Sequence, residues 1–90
     1  MKIDYDPQKD EVNIKKHNGV SLAQANEIEW DTLYAVQDNR FDYGVVRMIG
    51  YALIGDRVFC VVYTDRGAVR RIISLRKANK REVTKYARNI

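Results

Sequence analysis

Ninety residues with 46% hydrophobic content, one proline and one cysteine predict a single small domain spanning 1–90, because two independent cores would not fit in so short a chain. A lone cysteine builds neither a disulfide framework nor a four-ligand zinc site, and the opening MKIDYDPQKD carries acids where a secretory leader needs an apolar run, so a reducing, cytoplasmic setting with no membrane insertion is expected. The formal net charge of +4 is unevenly spread: residues 1–45 hold five basic against nine acidic residues, and residues 46–90 hold eleven against three, a density that suits phosphate polymers or acidic proteins as well as a solvated surface.

Lys2 to Tyr5 alternate polar and apolar residues and predict a short strand. Asp6 is the expected N-cap and Pro7 the first residue of a helix running to His17, where Pro lacks only an N–H that would be unpaired anyway. Asn18-Gly19 ends it, with Gly19 in the left-handed conformation. Ser21 caps a second helix through Leu22, Ala25 and Ile28, whose i, i+3, i+6 spacing marks one face and completes a helical hairpin.

Trp30 to Leu33 lead into Tyr34-Ala35-Val36, which is either a strand or an irregular edge, and residues 38–44 form a polar loop. Residues 45–54, VVRMIGYALI, and 57–64, RVFCVVYT, are β-rich runs joined by Gly55-Asp56, a dipeptide suited to a two-residue hairpin turn. Asp65-Arg66-Gly67 closes a second turn before AVRRIISLR, residues 68–76, giving three antiparallel strands in a meander. The sequence leaves open whether that turn has three or four residues.

Pairing Ile54 with Arg57 puts Arg47, Ile49, Tyr51, Leu53, Val58, Cys60, Val62 and Thr64 on one sheet face. Met48, Gly50, Ala52, Ile54, Phe59, Val61 and Tyr63 take the other. Both are largely apolar, so helices cover one and a terminal helix or a partner chain shields part of the second. From Asn79 the chain reads as a basic helix, capped by Asn79 with Glu82 completing a capping box. The expected architecture is α+β, in the order β-α-α-β-β-β-β-α.

No phosphate-binding glycine loop, paired histidines or nucleophile elbow is present. Cys60 lies among apolar residues and reads as core rather than nucleophile, and Gly50 as a bulge or a close-packing site. What clusters is cationic: Arg66 in the turn, then Arg70, Arg71, Arg76 and Lys77 with the hydroxyl of Ser74. Strict alternation places Arg70, Ser74 and Arg76 on one side of the last strand and Arg71 on the other with Ile73 and Leu75. Guanidinium groups bind a phosphodiester bidentately and stabilise charge on its oxygens; pairing with Asp31, Asp38 or Asp42 is the simpler alternative.

His17, the sole histidine, is the default general acid or base, and the helix end beside it favours its protonated form. A capping or surface histidine fits the position equally. Glu82 and Tyr86, four apart, are the other candidate pair, against which stands the simpler reading that Glu82 caps and Tyr86 packs.

Asp6-Pro7-x-Lys9, Asn13-x-x-Lys16-His17 followed by Gly19-Val20-Ser21-Leu22 and Ala25, Arg47 before Ile49-Gly50, Val61-Val62-Tyr63-Thr64-x-Arg66, and Arg71-Ile72-Ile73-Ser74-Leu75-Arg76-Lys77-Ala78 with Glu82 and Tyr86 after resemble the BrnT family of toxins. The resemblance covers nearly the whole chain, and RIISLRKA after VVYTDR is its most specific part. It implies a compact fold like that of RelE-type ribonucleases, with the first strand joining the meander in an antiparallel sheet.

The resemblance also implies a metal-independent endoribonuclease, without cofactors, that acts on RNA and arrests translation. The partner it implies is a ribbon-helix-helix antitoxin, with operator DNA reached only through that antitoxin and a homodimer or heterotetramer as the assembly. Arg66 and Arg76 would stabilise the phosphorane, and Arg71 and Lys77 would position the backbone. Lys9, Lys16, Arg47, Arg70 and Ser74 would contact RNA, and His17 or Glu82 would move the proton. Two departures stand out: Val46 replaces the glutamate usual before the arginine of the third strand, and Asn18 is inserted between His17 and Gly19. A catalytically silent member that binds its partner or nucleic acid, and a basic adaptor for an acidic protein, are the competing readings.

Overall fold

In the computed structural model, which describes residues 1–90, the chain runs β1 (Lys2–Asp4), α1 (Pro7–Lys16), a 3-10 helix (Leu22–Glu27), β2 (Glu29–Gln37), β3 (Met48–Ile54), β4 (Arg57–Arg66), β5 (Val69–Lys77) and α2 (Lys80–Arg88). The caps form where the sequence puts them. The Asp6 carboxylate accepts the Gln8 N–H at 2.9 Å, and Asn79 and Glu82 exchange side-chain-to-backbone bonds at 2.9 Å each. After His17, both Asn18 (φ +54) and Gly19 (φ +86) are left-handed, and the Gly19 N–H returns to the Ile14 carbonyl at 2.8 Å.

Ser21 caps its helix as expected, with Gln24 accepting the Ser21 N–H at 2.9 Å, but the helix is a 3-10 turn rather than an α-helix. The reason lies in the spacing. A repeat of three residues is the period of the 3-10 helix, in which side chains at i and i+3 eclipse, so Leu22 and Ala25 both point inward and are fully buried.

The five strands form one sheet in the order β1-β5-β4-β3-β2. β2 through β5 are antiparallel neighbours, but β1 lies parallel to β5 through Lys2↔Val69, Ile3↔Arg70 and Asp4↔Arg71. The sheet is therefore mixed, not antiparallel throughout. Tight hairpins force antiparallel pairing only between consecutive strands, and β1 reaches β5 after the chain has passed through every other element. Ile54 pairs with Arg57 as expected, and Arg66 pairs with Val69 across a two-residue turn, Gly67-Ala68, shorter than either length the sequence suggested. β2 starts at Glu29, earlier than Tyr34. Its register shifts between Glu29 and Tyr34, where the Thr32 hydroxyl takes the Leu53 N–H at 3.0 Å.

A second irregularity decides which β5 residues share a face. Val62 pairs with Ser74 and Tyr63 with Ile72, so Ile73 has no partner and forms a bulge. The extra residue resets the alternation. Ser74 and Arg76 lie on the face of Val62 and Cys60, Arg71 joins them opposite Thr64, and Arg70 is carried to the other face with Ile72 and Leu75. The expectation that Arg70 shares a side with Ser74 and Arg76 is thus corrected.

The core lies between the 3-10 helix and one sheet face: Val20, Leu22, Ala25 and Ile28 pack against Ala52, Phe59, Val61, Tyr63, Ile72 and Leu75. Gly50 belongs to this packing, since a Cβ there would come within 2.6 Å of Leu33 Cδ1. The opposite face is partly covered by α2, whose buried Tyr86 donates its hydroxyl to the Thr32 carbonyl at 2.6 Å. No helix is long and apolar enough to cross a membrane.

Candidate functional site

Residues alternating with the core form the floor of a cleft of about 770 Å³: Ile49 and Tyr51 of β3, Cys60 and Val62 of β4, and Ile73, Ser74 and Arg76 of β5. One wall is α1, with Lys9, Val12, Asn13, Lys16 and, just past its end, His17. Glu82 of α2, Arg40 of the β2–β3 loop and Arg47 complete the lining.

Asn13 fixes the α1 wall against the floor. β1 pairs with β5 only as far as Arg71, which leaves the later edge of β5 open. There Asn13 acts as a strand would: its amide donates to the Leu75 carbonyl at 2.9 Å and accepts the Leu75 N–H at 3.3 Å. It also donates to the Val20 carbonyl at 2.9 Å. With 5% of its surface exposed, this one side chain ties the helix bearing Lys9, Lys16 and His17 to the strand bearing Ser74 and Arg76.

Arg76 is held by Glu82 in a fork, Nη1 to Oε1 at 2.7 Å and Nη2 to Oε2 at 2.8 Å. Glu82 also accepts the Asn79 N–H at 2.9 Å and the Tyr51 hydroxyl at 3.1 Å. The bonds from Arg76, against the opposing effect of burial, draw the Glu82 carboxyl down to about 2. So weak a base does not take protons near neutrality. Glu82 instead fixes the guanidinium and helps raise its already high pKa. Burial, followed by the nearby Cys60 and Glu82, pushes the Tyr51 hydroxyl up, and burial raises the thiol of Cys60, which is buried in the cleft floor rather than in the core cluster.

His17 titrates below its ordinary value, first because it is partly buried and then because Lys16 and Arg76 repel its proton. This reverses the expectation from the helix end: two real cations and lost hydration outweigh the partial charge of a helix end. A neutral imidazole near pH 7 is the form that accepts a proton.

Of the sequence candidates, Lys9, Lys16, His17, Arg47, Ser74, Arg76 and Glu82 line the cleft, and Arg66, Arg70, Arg71 and Lys77 do not. Arg70 lies on the core side, bonded to Asp65 at 2.8 Å and stacked over Tyr63 and Trp30 at 4.2 and 4.8 Å. Arg71 pairs with Asp4 of β1 at 3.2 Å. Arg66 is exposed at the far end of β4, and Lys77 is exposed with Phe59 as its register partner. The alternative acids proposed for these arginines, Asp31, Asp38 and Asp42, bind none of them.

Sequence reasoning missed Arg40, Tyr51 and the anchoring role of Asn13. Arg40 sits in a stretch whose only sequence signal is turn propensity, and Tyr51 carries the strand-face pattern of a packing residue. The two departures from the family pattern prove mild in position. Val46 is exposed and outside the cleft lining, and Asn18 takes up the extra residue in a left-handed turn with His17 still in the cleft.

No curated protein matches the chain. A model of the ribonuclease toxin family BrnT, of type II toxin–antitoxin systems, matches residues 5–82. The match begins just past β1 and ends at the glutamate that holds Arg76, and so takes in most of the chain: the chain belongs to the BrnT family of ribonuclease toxins.

Proposed function

We propose that the chain is an endoribonuclease that cleaves RNA without a metal ion and thereby arrests translation. The observation that supports this reading most directly is the convergence of His17, Ser74 and a Glu82-held Arg76 on one cleft. In the proposed step neutral His17 takes the proton of a ribose 2′-hydroxyl, whose oxygen attacks the adjacent phosphorus. Arg76, already oriented, meets the charge that builds on the non-bridging oxygens, and the bond to the 5′-oxygen breaks. The products are a 2′,3′-cyclic phosphate and a 5′-hydroxyl that takes its proton from solvent in the open cleft.

Ser74, Lys9, Lys16 and Arg47 hold the substrate backbone in this scheme. Arg66, Arg70, Arg71 and Lys77, being outside the cleft, contribute only to outlying stretches of a longer RNA. The layout is read as a RelE-type one, in a single cytoplasmic domain. The antitoxin that the type II family implies is taken to be a ribbon-helix-helix protein that carries any contact with operator DNA, in a homodimeric or heterotetrameric assembly.

Induced expression of the chain and of its Arg76→Ala form, with growth and RNA integrity followed, tests the proposal. Wild type is expected to stop growth and fragment RNA, and Arg76→Ala to lose about 10²–10³ of the cleavage rate. Wild type that leaves RNA intact while still binding a co-expressed partner would establish the silent reading instead.

A further inference from the structure

Of the cleft's cationic lining, Arg40 has no part in this chemistry, and Arg47 has only a general hold on the substrate backbone. The loop between β2 and β3 brings Arg40 and Arg47 to the cleft at the β3 end of a sheet whose β5, two strands away, is the strand tied to α1, and both are organised by the same small cluster. Asp38, whose side chain is wholly buried, receives Arg40 Nε at 2.9 Å, Arg40 Nη2 at 2.9 Å, the Arg40 N–H at 3.2 Å and the Tyr43 hydroxyl at 3.0 Å. The Tyr43 ring lies under the Arg47 guanidinium at 4.3 Å. Asp38 is anchored in turn, its N–H donating to the Arg47 carbonyl at 2.7 Å.

This is an expensive arrangement for a surface loop unless it presents something. A guanidinium has five N–H donors, and Asp38 occupies two of those on Arg40, leaving the rest on a side chain that is 64% exposed. Arg47 has no carboxylate partner at all, and its Nε is buried without an acceptor. One arginine is thus held rigid with free donors, and the other keeps its charge uncompensated. A fixed guanidinium loses little freedom on binding a planar or tetrahedral oxyanion.

We propose that Arg40 and Arg47 form a second phosphodiester subsite, which binds the backbone phosphate next to the one held at Arg76. The subsite rests on the RNA-cleaving reading and adds to it a register: one single strand crosses the cleft from α1 and β5 to the β2–β3 loop. Asp38 and Tyr43 are positioning residues that act through the two arginines.

Binding of a short single-stranded 2′-O-methyl RNA, which lacks the attacking hydroxyl, tests this over a range of salt concentrations. Arg40→Ala is expected to weaken binding about tenfold and to flatten the slope of log affinity against log salt by about 0.7, the value of one phosphate contact to a single strand. Arg40→Lys, which spares buried Asp38 a lone charge, is expected to keep the wild-type slope at lower affinity. Arg57→Ala removes an equal charge from the exposed β3–β4 turn and is expected to change neither. Equal losses from Arg40→Ala and Arg57→Ala, or a wild-type slope in Arg40→Ala, overturn the subsite while leaving the cleavage reading intact if wild type cuts RNA. A wild-type chain that neither binds the probe nor cuts RNA overturns both.

Discussion

At the scale of single residues, the cleft separates two groups that the sequence left as alternatives for the same task. His17 and Glu82 are both candidates for moving a proton, and the environment pushes them apart: His17 toward neutral, Glu82 toward permanent ionisation. With His17 as base, the acid limb of the cleavage rate lies below 6.5. Lys16→Gln removes one of the charges that depress it, so a pH–rate profile of that variant should show the limb moved upward. Glu82 carries a different pH signature. Its folded value of about 2 lies below the ordinary 4.5, so its stabilisation is complete above 4.5 and is lost as pH falls toward 2. Glu82→Gln should therefore cost on the order of 1–2 kcal/mol at pH 7, after allowance for solvent screening. In urea titrations the gap to wild type should close through that acidic window. The capping role of Glu82 was legible from its place three residues after Asn79. Its fork with Arg76 was not, because it depends on the angle at which α2 leaves β5.

At the scale of elements, two local irregularities do most to shape the site. The bulge at Ile73 turns Arg71 toward the cleft face and Arg70 away from it, and no composition signal in AVRRIISLR announces it. Asn13 substitutes for a missing strand at the open edge of β5. Asn13→Ala leaves the Leu75 N–H and carbonyl and the Val20 carbonyl without their partner, so a loss of about 2–4 kcal/mol is expected in urea unfolding. Asn13→Asp should fare no better, because it keeps an acceptor for Leu75 but loses both donated bonds and buries a charge. Cleavage should fall in step with the loosened α1 wall. The 3-10 helix offers the opposite lesson: its spacing of three was plain in the sequence and was simply the signature of a different helix.

For the whole molecule, the division of charge along the chain is not the division of charge in space. The basic second half supplies Arg47 and Arg76, but the acidic first half supplies Lys9, Lys16, His17 and Arg40 to the same cleft. Several of its acids are turned to structural use: Asp10 accepts the Leu22 N–H at 2.7 Å and so joins α1 to the 3-10 helix, Asp38 holds Arg40, and Asp4 meets Arg71. The lining thus gathers its positive charge from side chains, and its one carboxylate is bound to Arg76. RNA cleavage by the purified chain is accordingly expected to continue in excess chelator; complete loss there, with recovery on adding a divalent ion, would refute the metal-free mechanism.

The sequence by itself determined the order of elements, the caps at Asp6, Ser21 and Asn79, the Gly55-Asp56 hairpin and the family, because each depends on residues close together in the chain or on a pattern read in order. Only the tertiary structure decided the parallel β1–β5 pair, the face of Arg70, the α1 anchor at Asn13 and the Arg40 wall. These depend on which strand edges are left open and on a one-residue bulge. The free energies involved arise between segments as much as 67 residues apart, where no local propensity reaches.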